Sequence, residues 1–223
     1  MKISVIIPTL NEEACLGETL TSVTRQVGDY EIIVVDGGSV DKTMELAGRS
    51  AVVIRSPSGR GRQMNAGAQL ATGHVLLFLH ADSRLAAGAF AAIREAMTDA
   101  QCVGGTFSLQ FDQPRRLLRF YAWFTQFHFA LFHYGDQGIF VRREVFEQMG
   151  GYQEIPIMED LEFFRRLRRC GRMAILSHPI TTSARRFVKH GVVAQQMINT
   201  VLVLLYLVGA SPRTLRRWYD DVR

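Results

Sequence analysis

The chain of 223 residues carries 26 Lys+Arg against 21 Asp+Glu, a formal net charge of +5, with a sequence pI near 9.4; such a length fits one α/β domain with a sizeable core. Lysine occurs only at Lys2, Lys42 and Lys189, so the charge is almost all arginine, which suits bidentate phosphate contacts, yet its dispersal in small clusters speaks against a nucleic-acid partner. The three cysteines, Cys15, Cys102 and Cys170, are odd in number and lack CxxC spacing, and read as buried thiols of a reducing compartment rather than a disulfide framework.

The N-terminus enters a strand at once, leaving no room for a signal peptide and pointing to the cytoplasm. Apolar runs at 3–7, 31–35, 51–54 and 74–79 alternate with helical patterns, the signature of βαβ units and a parallel sheet. The first helix carries Leu16, Leu20, Val23 and Val27 at helical spacing, with Thr9 or Asn11 as a candidate cap. A second is expected over 40–48 and a third over 61–71, with Met64, Ala68 and Ala71 on one face. After Asp82 an alanine-rich helix should run to about Met97. Residues 102–111 read as a strand, with Gly104-Gly105 allowing another backbone to approach. The stretch 115–132 is apolar on nearly every side, as in a helix buried in protein or in lipid. A short strand (139–142), a helix to Met149, a Gly150-Gly151 stop and a helix over 159–169 with Leu161, Phe163, Phe164 and Leu167 inward complete this part. The apolar run 200–210 is about half of the roughly 20 residues a spanning helix needs, so it is expected to be buried or to rest on a membrane.

Polar groups gather where strands end. In an open α/β sheet the ligand crevice lies outside the carboxyl ends of the strands, and there stand Pro8-Thr9-Leu10-Asn11-Glu12, then Asp36-Gly37-Gly38-Ser39, then His80-Ala81-Asp82. Alternation puts His80 and Asp82 on one side, as a divalent metal would require; helix capping is the competing role for Asp82, and a turn role competes for Asp36. The segment 59–67, with Arg60, Arg62 and Asn65, opens a helix whose N-terminus suits a phosphate, although its spacing is neither GxGxxG nor a Walker loop. Glu159-Asp160 begins another helix behind an apolar approach (155–158) that could desolvate a general base. Arg185-Arg186-Phe187 is either a diphosphate clamp or a solvated pair.

In their order these motifs resemble the family 2 glycosyltransferases of the GT-A fold, over about residues 3–176, and most of all short bacterial members with a HAD variant of the DxD motif and an Arg-Arg-aromatic element near the C-terminus. The resemblance implies a Rossmann-like, mostly parallel central sheet with helices on both faces. It implies a glycosyltransferase domain over 1–190, with a nucleotide-sugar half (1–100) and an acceptor half (101–190); the remaining 191–223 is expected to be a helical appendage that associates with a membrane or a second copy. The activity implied is inverting transfer from a nucleotide-diphosphate sugar to a hydroxyl acceptor. Asp82 would bind Mn²⁺ or Mg²⁺, Asp160 would be the general base with Glu159 in support, and Asp36, Thr9 and Glu12 would hold the nucleoside. Pro8, Asn11, Gly38, Asn65, His80 and Ala81 would complete the nucleotide-sugar site, with Arg62, Arg185 and Arg186 on the diphosphate. His80 departs from the usual pattern by replacing the first acid of DxD; a neutral imidazole brings less charge and favours Mn²⁺ somewhat.

Arginines flanking the aromatic stretch suit an anionic membrane or a lipid-linked acceptor, placing the chain at the inner face of the cell membrane; a dimer interface or core packing are the alternatives. Two rival functions are a nucleotidyltransferase, disfavoured because no glycine- and arginine-rich loop follows the first strand, and a non-catalytic nucleotide-sugar-binding module, which would not need Asp160.

Overall fold

The computed structural model describes residues 1–124 and 135–219. Strands β1 (Ile3–Thr9), β2 (Tyr30–Asp36), β3 (Val52–Arg55) and β4 (Val75–Phe78) alternate with helices α1 (Leu16–Thr24), α2 (Thr43–Ala47) and α3 (Arg60–Leu70), as the hydrophobic periods predict. β1 pairs in parallel with β2 and with β4, and β2 with β3. Every residue of β1 and β4 is buried, because a strand covered on both faces has no solvent side to keep polar.

The chain continues through β5 (Ser83–Leu85), α4 (Ala89–Ala96), β6 (Cys102–Phe111), α5 (Arg116–Phe124), a 3₁₀ turn (Gly135–Gln137), β7 (Ile139–Arg142), α6 (Arg143–Gln148), α7 (Glu159–Cys170), β8 (Arg172–Thr182), α8 (Arg185–His190), α9 (Val192–Leu207) and α10 (Pro212–Trp218). One sheet runs in the order β3-β2-β1-β4-β7-β6-β8-β5. Four of its seven pairings are parallel; β7 runs antiparallel to both β4 and β6, and β5 antiparallel to β8.

Strand alternation divides the core between the two faces of the sheet. Ile3, Val5, Ile7 and Leu77 pack with Leu16 and Leu20 of α1 and Phe90 and Ile93 of α4. Ile6, Ile33, Leu76 and Phe78 meet Met64 of α3, Phe146 of α6, and Phe163 and Leu167 of α7. Each such side chain stabilises the fold by about 1.5–3 kcal/mol relative to exposure. Gly104 and Gly105 fulfil the expected close approach: a Cβ there would collide with the carbonyl oxygens of Phe140 and Ala174.

Several expectations are corrected. The helix after Asp82 starts only at Ala89, because residues 83–85 pair antiparallel with β8 and Gly88, in the left-handed conformation at φ 80°, opens the helix. The longest strand, β8, was not expected; its register against β6 slips between Phe107 and Ser108, where Ser108 pairs with Pro179. Of the thiols only Cys102 is buried, whereas Cys15 is partly buried and Cys170 exposed, the latter at the end of α7 past the last inward residue, Leu167. The aromatic stretch is not apolar-buried all round: in α5, Leu118 and Ala122 are buried while Phe120 and Trp123 are 53% and 50% exposed. Residues 125–132 of that stretch, with Phe127, Phe129, Leu131 and Phe132, lie outside the described residues. No helix among the described residues is long and apolar enough to cross a membrane.

Candidate active site

Parallel pairing brings the carboxyl ends of β1 and β4 to one edge of the sheet. The antiparallel β7 starts at that edge, with Ile139 opposite Phe78, so the turn before it is delivered to the same place. The resulting cleft is lined by Pro8, Thr9 and Glu12 after β1, by His80, Ala81 and Asp82 after β4, by Asp136, and by Glu159 and Asp160 of α7. Arg60 and Gln63 of α3 and Arg185 and Arg186 of α8 close its sides, with Gln195, Asn199 and Leu202 of α9. Ligand at this edge meets the positive end of the α7 dipole, which favours anionic groups.

Two charged clusters organise the cleft. In the first, Arg185 donates to both oxygens of Glu12 at 2.9 and 2.8 Å and stands 3.2 Å from Asp82 Oδ2. Such a fork of charge-assisted bonds fixes α8 against the loop after β1. Burial pushes the Asp82 carboxyl up from its ordinary pKa, Asp136 and Glu12 push the same way, and His80 and Arg185 oppose them. Asp82 is thus a carboxylate short of positive charge.

In the second cluster, His80 is sandwiched between acids. Its Nδ1 is 3.0 Å from Asp136 Oδ1 and its Nε2 is 3.5 Å from Asp160 Oδ2. Burial alone would lower its pKa, but the hydrogen bond to Asp136 and the Asp160 carboxylate beside Nε2 outweigh that and raise it to about 10. The expected neutral imidazole is therefore a cation here, turned toward Asp136 and Asp160. Asp136 is held well below the usual carboxylate range by the hydrogen bond to His80, against the upward push of burial, although 46% of its side chain is exposed and water screens the pair. Glu159, 4% exposed, is pushed up by burial first and by the charge of Asp160, with Arg60 opposing at 3.5 Å. Met158 enters α7 in the left-handed conformation at φ 68°, which aligns this acid pair with the helix N-terminus at some backbone cost.

A metal of the Mg²⁺ or Mn²⁺ kind takes one or two protein carboxylates and fills its remaining positions with water and substrate phosphate. Asp82 fits as such a donor. Among the described residues no three His, Cys, Asp or Glu groups come together as a metal cage.

Of the expected site residues, Asn11, Asp36, Gly38, Arg62 and Asn65 do not line the cleft. Asp36, 1% exposed, accepts the Gly38 and Ser39 N–H groups at 3.0 Å each and so anchors its own turn, in which Gly38 sits at φ 103°. Asn11, at φ 53°, donates its N–H to Ser39 and accepts the Val40 N–H at 2.9 Å each, stitching the first two loops together. Arg62 points to the surface, bonded to Glu154 at 2.7 Å; two positions earlier in α3, Arg60 is the arginine that faces the cleft. Asn65 grips the Tyr152 backbone through both ends of its amide, at 2.9 and 2.8 Å. Thr9 is 2% exposed and its carbonyl accepts the Gln63 side chain at 2.8 Å, while the Ala81 carbonyl accepts the Thr19 hydroxyl at 2.7 Å. Arg186 bonds the Tyr219 hydroxyl. Sequence reasoning missed Asp136 and Gln63; the one signal for Asp136 was an acid beside glycines just before a short strand.

Comparison with known proteins bears on the family and the fold. The family model described as glycosyl transferase family 2 matches residues 4–149. A "PGL/p-HBAD biosynthesis glycosyltransferase" of Mycobacterium bovis is 45% identical over 91 residues, 37% of this chain and 36% of that protein. A poly(ribitol-phosphate) beta-glucosyltransferase of Bacillus spizizenii is 34% identical over 94 residues, 37% of this chain and 15% of its own length. The matches thus cover about a third or less of these relatives' length. Among solved structures, S. aureus TarS superposes with a TM-score of 0.69 at 18% identity, over 82% of this chain and 37% of that one. The mannosyltransferase PcManGT from Pyrobaculum calidifontis, in complex with GDP-Man and Mn²⁺, superposes with a TM-score of 0.66 at 20% identity, over 96% of this chain and 67% of that one. These likenesses share the mixed α/β architecture, and with the family model spanning more than half of the sequence the chain belongs to glycosyl transferase family 2.

Proposed function

We propose that the protein transfers a sugar from a nucleotide-diphosphate sugar to a hydroxyl acceptor in one displacement, with inversion at the anomeric carbon. The observation that carries this reading is the meeting of Asp82, Asp160, Arg60 and Arg185 in one cleft at the carboxyl edge of β4. Asp160 accepts the proton of the acceptor hydroxyl as its oxygen bonds to the anomeric carbon; the bond from that carbon to the diphosphate oxygen breaks, and the nucleoside diphosphate leaves with the electron pair. Arg60 and Arg185 face the growing negative charge, which costs least when donors are already in place. A divalent ion held by Asp82 would supply Lewis-acid neutralisation of the leaving diphosphate.

Glu159 supports Asp160 from the same helical turn, and Arg60 keeps that buried acid pair from being wholly unbalanced. The turn built on Asp36, Gly38 and Asn11 shapes the nucleoside end by fixing two loops to each other. Support for the donor class comes from neighbours of this fold bound to GDP-Man with Mn²⁺ and, for a TarS fragment, to UDP-GlcNAc. A thermal-shift panel of UDP-, GDP- and dTDP-sugars with and without Mn²⁺ tests the proposal. One donor should raise the melting temperature only with metal, by the equivalent of about 2.7 kcal/mol at roughly 100 times its Kd; a flat panel would count against the donor class.

A further inference from the structure

Helix α9 is built inside out. Gln195, Asn199, Leu202 and Val203 line the cleft, so much of the polar content of the helix faces inward. On the opposite side Val193, Met197, Val201 and Leu204, with Val208 at the C-cap, follow one another at helical spacing and fall within a wedge of about 80° at 100° per residue. They are 54%, 63%, 50%, 48% and 81% exposed. A surface helix of a soluble domain normally carries its apolar stripe toward the core, and a contiguous exposed stripe marks a contact with something apolar.

Charge identifies the contact. No Asp or Glu occurs between Ser183 and Tyr219. Lys189 is exposed just before α9, and Arg213 and Arg217 are exposed just after it, followed by Trp218 at 65% exposure. Cations at both ends of an apolar stripe disfavour pairing with a second copy, because parallel and antiparallel α9–α9 contacts alike would set positive charge against positive charge. They suit an anionic lipid surface, where the stripe enters the acyl boundary while arginines meet headgroup phosphates and a tryptophan sits at the interface. The 16 residues of α9 span about 24 Å at 1.5 Å each, enough to lie along a membrane and too short to cross one.

We propose that the outer face of α9, with the basic ends of α8 and α10, docks the protein in plane on an anionic membrane. Since the inner face of the same helix walls the cleft, docking sets the cleft about one helix diameter, roughly 10–12 Å, from the lipid surface. The docking itself does not depend on the chemistry assigned to the cleft.

Flotation of the full chain with phosphatidylcholine vesicles, and with vesicles containing phosphatidylglycerol, tests this at low and high salt. Binding should require phosphatidylglycerol and weaken with salt. The triple substitution Met197→Gln, Val201→Gln and Leu204→Gln should abolish it with an unchanged circular dichroism spectrum. Arg213→Gln with Arg217→Gln should lower partitioning about 25-fold, from roughly fivefold for each cation, and keeps the test decisive should the triple variant misfold. The proposal is overturned if the wild type stays unbound at low salt, if neither variant weakens binding, or if the stripe instead holds a concentration-dependent dimer that the triple variant dissolves.

Discussion

The clamp on His80 lends itself to a quantitative test through Asp136→Asn. This substitution keeps the shape of the side chain and removes the charge that accepts the Nδ1 hydrogen bond at 3.0 Å. A hydrogen bond to a charged group is worth about 1.5–3 kcal/mol; with 46% of the Asp136 side chain exposed, screening brings the expected loss to about 1–2 kcal/mol. For a chain of this size that lowers the melting temperature by roughly 2–8 °C at pH 7, and the same energy lowers the His80 pKa by about one unit. The sign of the pH dependence follows. His80 titrates at about 10 in the fold against an ordinary 6.5, so its stabilisation is complete below about pH 6.5 and drains away as pH rises through about 10. Asp136→Asn should therefore flatten the alkaline limb of stability between pH 7 and 10. The assay is urea unfolding across that range, paired with an NMR titration of metal-free protein in which His80→Gln assigns the imidazole signal. A wild-type His80 titrating near 6.5, or an Asp136→Asn variant with unchanged pKa and stability, would refute the clamp.

Glu31 is the mirror case on the acid side. Against the upward push of burial, hydrogen bonds from Ser4 at 2.5 Å, the Thr72 N–H at 2.7 Å and Lys2 at 3.0 Å hold its pKa at about 2, down from 4.5. Its contribution is present above about pH 4.5 and lost as pH falls through about 2, so Glu31→Gln should cost about 1.5–3 kcal/mol at pH 7 and much less near pH 2, read from urea midpoints at both. Gly105→Ala drives a methyl group into the Ala174 carbonyl and should destabilise the β6–β8 pairing by about 1–3 kcal/mol or more; an unchanged urea midpoint would show that these strands are not so closely paired.

The half of the fold built from β1 to β4 was legible because β1, β4 and most of β2 are buried on both faces and read as apolar runs separated by helices of regular period, while the more exposed edge strand β3 still shows as a short apolar run. β8 escaped because Ser177-His178-Pro179 interrupts any such run, and its ladder to β6 absorbs the interruption as a register shift. β5 escaped because three residues carry no period. At the site, Asp82, Glu159 and Asp160 were legible from their positions at element ends. Arg60 and Arg62 could not be told apart, since only the rotation of α3 decides which one meets Glu159 and which meets Glu154. Asp136 was illegible for a topological reason: an antiparallel strand presents its beginning at the carboxyl edge of β4, and nothing local announces that β7 runs that way. The charge of His80 likewise depends on two acids 56 and 80 residues further along the chain.

The central claim, that Asp160 takes the acceptor proton in a cleft that binds a nucleotide sugar, rests most directly on Asp160→Asn. With the donor selected by thermal shift, Mn²⁺ and a membrane lipid extract as acceptor source, nucleoside diphosphate release should fall by about 10²–10⁴-fold, the range for loss of a general base, while calorimetry shows donor affinity within a few-fold of wild type. Turnover unchanged by the substitution would contradict the account, because the carboxylate could then have no part in the proton transfer.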